Sequence, residues 1–143
     1  MPVGDDTHAY RGRLPHLTKP SRMYFVTFCT RNRKALRADA RSLVLQSCVY
    51  DHESLCWIDC VVVMPDHVHL IVTPYQAVSL AVILQRMKSA SAFRVNRLLG
   101  RAGALWQRES FDRILRSNEK LEQKRQSIFE NPVRAGLVEK AEE

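Results

Sequence analysis

His67 and His69 stand two residues apart inside VVVMPDHVHLIV, residues 61–72, a run whose Val, Ile and Leu content otherwise describes a buried strand. Side chains alternate across a strand, so the two imidazoles point to the same side. An imidazole is costly to bury without a partner, and the simplest partner that two of them can share is a divalent metal ion. Two sheet histidines with separate hydrogen bonds would give the same pattern, and the pair alone does not decide. Asp66, just before them, reads as a turn residue after Pro65, with orientation of an imidazole as its other role.

The flanking segments must hold that pair. β-Branched and aromatic residues mark a strand over 21–30, which runs into the basic loop RNRKALR. Leu43, Val44 and Cys48 give residues 39–52 the apolar stripe of a helix. Strands are expected over 55–63 and 67–73, separated by Met64, Pro65 and Asp66. Ser79 caps a long helix whose apolar stripe passes through Leu80, Leu84, Met87, Val95 and Leu98 with Ser91 among them, and which ends at Gly100 and Gly103. A short strand over 111–115 and a last helix over about 118–130, stopped at Asn131 before Pro132, complete the pattern. The order strand, helix, strand, strand, helix, strand predicts an α+β fold: a ferredoxin-like split βαβ antiparallel sheet with helices on one face and an extra C-terminal helix. Residues 1–20, with three prolines and scattered charge, are expected to form an irregular arm before one domain over 21–140.

At 143 residues and 45% hydrophobic the chain suffices for one domain with a core. No apolar run approaches the roughly 20 residues that span a bilayer, and the first residues lack the apolar stretch of a secretory signal. No membrane partner and a cytoplasmic location are therefore expected. Cys29, Cys48, Cys56 and Cys60 sit in apolar segments without Cys-x-x-Cys spacing, which favours reduced core thiols over a disulfide or zinc framework. Residues 86–134 carry 12 Lys and Arg against 5 Asp and Glu, so a net charge of +7 is concentrated in the C-terminal half. A one-sided basic surface suits a polyanion, of which nucleic acid is the commonest; a solvated face kept for solubility has the same composition.

YFVTFCTRNR (24–33), VVMPDHVHLIV (62–72), Lys88, LWQRESFDRILR (105–116) and ENPVRAGLV (130–138) follow one another in an order that resembles the single-tyrosine HUH transposases. Within that group the chain is similar to the REP-associated tyrosine transposase branch, over roughly residues 20–140. The resemblance implies DNA transposition by cleavage and rejoining of single-stranded or hairpin (REP-like) DNA, with a divalent metal, Mg2+ or Mn2+, and a tyrosine nucleophile. It implies that His67 and His69 are metal ligands and that Asn131, matching the polar residue at the end of the last helix, is the third. It also admits a homodimer, since related transposases share active sites between subunits.

One position departs from the family's pattern. The nucleophilic tyrosine is expected four residues before the asparagine of Asn-Pro, and this chain has Ser127 there. Serine is shorter, and its aliphatic hydroxyl is far harder to ionise than a phenol of pKa about 10. Neither Tyr10, Tyr24, Tyr50 nor Tyr75 is expected to replace it. The catalytic position is therefore expected to be impaired, and whether the chain acts as an enzyme stays open. The alternatives are a catalytically dead or domesticated DNA-binding protein and a nickase that uses metal and water. Lys88, at the lysine position of the family's motif, is the first expected DNA contact. Arg86, Arg94, Arg97, Arg101, Arg113, Arg116, Lys124 and Arg125 are further candidate phosphate contacts, each also readable as an ordinary surface charge. Trp106 and Phe111 lie among them and would suit either base stacking or the core.

Overall fold

The computed structural model describes residues 8–11, 22–115, 123, 124 and 126. Five strands, β1 (His8–Arg11), β2 (Met23–Cys29), β3 (Cys56–Val63), β4 (His67–Pro74) and β5 (Phe111–Leu115), and two helices, α1 (Ala38–Val49) and α2 (Leu80–Leu99), form the described fold. The sheet runs β1-β3-β4-β2-β5 with every neighbouring pair antiparallel. β4 lies between β2 and β3, so α1 crosses over it, which is the split βαβ arrangement expected from the element order. β1 is a departure. It falls within the arm read as irregular, and it pairs with β3 from His8↔Val63 to Arg11↔Cys60. An edge strand of four residues needs only backbone groups to pair, so HAYR carries no alternation to betray it.

Alternation along β4 sorts the two faces. Val68, Leu70 and Val72 join Val26 and Phe28 of β2 and Ile58, Val61 and Val63 of β3 in a buried core with α1 and α2. His67, His69 and Ile71 face the other way, where Cys60, Val62, Met64 and Ile71 form a second buried cluster. A β-bulge between Ile58 and Cys60 shifts the pleat, so Cys56 enters the first cluster and Cys60 the second, although both could share a face of a regular strand. All four cysteines are thiols outside any disulfide, and burial pushes Cys48 and Cys56 up to about 12.

The caps follow the sequence signals. The Ser79 hydroxyl accepts from the Val82 N–H at 3.2 Å. Gly100 takes the left-handed conformation at φ 62°, where a side chain would be strained, and turns the chain out of α2. Ser91 is wholly buried within the apolar stripe because it has partners: its hydroxyl donates to the Met87 carbonyl at 2.7 Å and accepts from Trp106 Nε1 at 2.8 Å. Leu98, expected in that stripe, is 41% exposed, and Ile83 is buried instead. Of the helix expected over 118–130, Gln123, Lys124 and Gln126 are helical and the remainder lies outside the described residues. No helix among the described residues is long and apolar enough to cross a membrane.

Candidate metal and nucleic-acid site

The two histidines meet on the sheet face opposite α1 and α2, with ring centroids 4.7 Å apart. Each already has a partner at Nδ1. Asp66 Oδ1 lies 2.7 Å from His67 Nδ1, and Thr27 Oγ1 lies 2.8 Å from His69 Nδ1. A carboxylate only accepts, so His67 donates from Nδ1, and the neutral form of the ring presents its lone pair at Nε2. The Thr27 hydroxyl can accept from His69 in the same way. An imidazole held at Nδ1 by an acceptor presents Nε2 as a metal ligand, so the donor set fits one side of a divalent-cation site. Burial, helped by the neighbouring His67 and Lys124 charges, lowers His69 to about 4, which keeps that ring neutral at physiological pH. Among the described residues no three His, Cys, Asp or Glu side chains gather as a metal cluster.

Asp66 does more than turn the chain. Its carbonyl accepts from the Thr30 N–H at 2.9 Å, and its second carboxylate oxygen takes Arg33 Nε at 3.1 Å. Against the upward pull of burial, the hydrogen bonds to His67 and Arg33 hold its carboxyl below the usual range. The reading of Asp66 as a turn residue alone is corrected: it also orients His67. Thr27 gave no signal in the sequence, because only the register Thr27↔His69 brings it to the ring.

Phe25 stacks on His69, with centroids 5.6 Å apart and planes 21° from parallel. Lys124 Nζ lies 4.4 Å and the Arg113 guanidinium 5.8 Å from the centre of the same Phe25 ring. Burial and the Arg113 charge lower the Lys124 ammonium from its ordinary value. Lys124 and Arg113 thus border the histidine face. Phe111, 75% exposed, pairs with Thr27 in register and extends the same row of the sheet.

The remaining expected contacts are elsewhere. Arg86 gives Nε and Nη2 to Asp51 at 2.7 and 2.9 Å, which ties α2 to the turn after α1. The pair gives Arg86 a role in the fold that the sequence did not announce. Arg101 bonds Asn96 Oδ1 and the Ala104 carbonyl behind the helix terminus. Lys88 Nζ donates to the Gln107 and Arg108 carbonyls at 3.2 and 3.4 Å and lies 5.4 Å from the Phe28 ring centre, and burial lowers its ammonium from the ordinary value. Arg94 and Arg97 are exposed. Trp106 is 6% exposed and edge-on to Phe28 at 4.7 Å, so it belongs to the core. Tyr24 packs on the helix side of the sheet, away from the histidines. Ser127, Asn131, Arg116 and Arg125 lie outside the described residues.

The family described as "Transposase IS200 like" matches residues 18–134. Among the similar solved structures are two. The first is a REP-associated tyrosine transposase bound to a REP hairpin, with TM-score 0.64 and 21% identity over 90% of this chain and 76% of that one. The second is a protein from Deinococcus radiodurans R1, named only provisionally as a transposase, with TM-score 0.51 and 20% identity over 82% of this chain and 95% of that one. No curated protein matches the chain by sequence.

Proposed function

Because the chain belongs to the IS200-like transposase family, we propose that it binds single-stranded or hairpin DNA on the His67–His69 face and retains the metal site while lacking the family's nucleophile. The observation that carries this reading is the pair of imidazoles on one face, each bonded at Nδ1 and free to ligate from Nε2. Asn131 supplies the third ligand in this proposal. It follows Lys124 by seven residues and Ser127 by four, the spacing of one helix face, and Lys124 is already beside Phe25. An oxygen donor added to two imidazoles suits Mg2+ or Mn2+. A divalent cation bound there supplies charge stabilisation to a scissile phosphodiester and its leaving 3′ oxygen.

The chain's own residues perform the rest. Asp66 fixes the His67 tautomer, Thr27 orients His69, and Lys124 and Arg113 offer positive charge beside the reacting phosphate. Ser127 stands where a phenol is needed, and DNA binding without efficient covalent cleavage is the activity proposed.

The test compares the wild-type chain with Ser127→Tyr on a labelled single-stranded hairpin in Mn2+, scoring a covalent protein–DNA band. A band in the tyrosine variant alone is expected. Wild-type covalent nicking at the variant's rate would overturn the reading. Nicking by wild type without an adduct would favour the water-dependent nickase.

A further inference from the structure

At the end of the sheet that carries His67, the chain leaves β2 through the basic sequence Arg31, Asn32, Arg33 and Lys34, all four exposed. Asn32 and Arg33 both have positive φ, 59° and 53°. Asparagine tolerates that conformation; an arginine gains nothing from it, and such strain persists only where surrounding structure imposes it. Here the surrounding structure is visible. Arg31 N–H bonds the Leu105 carbonyl and Gln107 N–H bonds the Cys29 carbonyl, both at 2.9 Å, so the turn and the 104–108 loop are sewn to the end of β2. Arg33 reaches back to Asp66, the residue that orients His67.

Between this turn, the loop and α2 lies a groove of about 920 Å3. This is the size of a ligand cleft, roughly 300–1,000 Å3. Its charged lining residues are Arg31, Lys88 and Arg108, and no acidic residue lines it. Asn32 and Gln85 add amides of the kind that read base edges, while Gln107 gives its Nε2 to the Thr30 carbonyl at 3.2 Å. Lys88 pins the loop wall, leaving Arg31 and Arg108 exposed, and among the described residues neither forms an ion pair. The groove is close to the histidines along the chain: Cys29 is the register partner of His67, and Arg31 follows two residues later, about 7 Å of extended chain. The arginines of α2 point elsewhere, since Arg86, Arg94 and Arg97 stand roughly 100–180° around the helix from Gln85.

We infer that this groove binds the unpaired strand that enters or leaves the His67–His69 face, with Arg31 and Arg108 gripping its phosphates and the amides touching its bases. This rests on the DNA-binding reading above and adds to it a site for one strand. A strand with separated bases presents both the charge and the hydrogen-bonding edges that the lining matches.

The test measures, by fluorescence anisotropy and as a function of salt, the affinity for a blunt DNA hairpin and for the same hairpin with an unpaired flank. The Arg31→Ala/Arg108→Ala double variant should lose roughly tenfold on the flanked hairpin and nothing on the blunt one, with a salt slope shallower by about 1.4 for two single-strand phosphates. Arg31→Lys/Arg108→Lys, which keeps the charge, should recover most of the loss. Equal losses on both hairpins, or no loss on either, would overturn the inference. Wild type that binds both hairpins equally would leave DNA binding standing and remove the groove's role; wild type that binds neither would remove both.

Discussion

Replacing Ser91 by alanine tests how the loop beside the groove is held. Ser91 is fully buried and Trp106 is 6% exposed, and the indole N–H has Ser91 Oγ as its acceptor at 2.8 Å. Ser91→Ala leaves that N–H buried with no acceptor, at a cost of about 1–3 kcal/mol. Alanine returns about 0.5 kcal/mol in helix propensity at an interior position of α2. The net loss is about 0.5–2.5 kcal/mol, which for a chain of this length lowers Tm by about 2–10 °C. The sign should reverse in a Trp106→Phe background. There the indole N–H is gone, the serine hydroxyl keeps only its back-bonds to the Met87 and Lys88 carbonyls, and adding Ser91→Ala becomes neutral or stabilising by a few tenths of a kcal/mol. Thermal denaturation of the four proteins by circular dichroism closes the cycle. The same loss from Ser91→Ala in both backgrounds would refute the hydrogen bond as the cause. A loss of DNA affinity in Trp106→Phe at unchanged Tm would return the indole to base stacking.

Arg86→Ala should lower Tm, because the Asp51 side chain, 7% exposed, loses a bidentate partner, while the salt slope of DNA binding stays unchanged; the opposite pattern would make Arg86 a phosphate contact. Asp66→Ala should weaken Mn2+ binding, read by calorimetry, by about 10–100-fold through loss of His67 orientation, whereas unchanged affinity would remove Asp66 from the site. His69 contributes a pH dependence in chelator: its folded pKa of about 4 lies below the ordinary 6.5, so the unfolded chain takes the proton first. Stability from this group is complete above pH 6.5 and falls as pH drops towards 4, by at most about 3 kcal/mol. His69→Phe should flatten urea-unfolding stability across that window; an unaltered slope would assign it to other groups.

Much of this arrangement was legible because the signals were local. Alternation on β4 placed both imidazoles on one face, Ser79 and Gly100 bounded α2, and Phe111–Leu115 is the expected short strand. What escaped depends on contacts between distant segments. Thr27 meets His69 across 42 residues and Arg86 meets Asp51 across 35, and neither spacing leaves a periodic trace. Lys88 illustrates the same limit: the loop that brings two carbonyls to its ammonium lies 19 residues further along the chain, and nothing within the helix announces it. β1 was missed for the converse reason, since a four-residue edge strand is specified by the edge it covers rather than by its own side chains.

The position of β4 in the sheet separates chemistry from recognition. With two strands on either side, it is the middle strand of five, and its backbone groups are released only when the sheet as a whole opens. The histidines therefore share the lifetime of the entire fold, while the basic turn, the 104–108 loop and β5 hang from its margins. Changes of sequence at those margins can alter which DNA is gripped without loosening the pair at the centre, so a lineage can drift in target while its central strand stays the same.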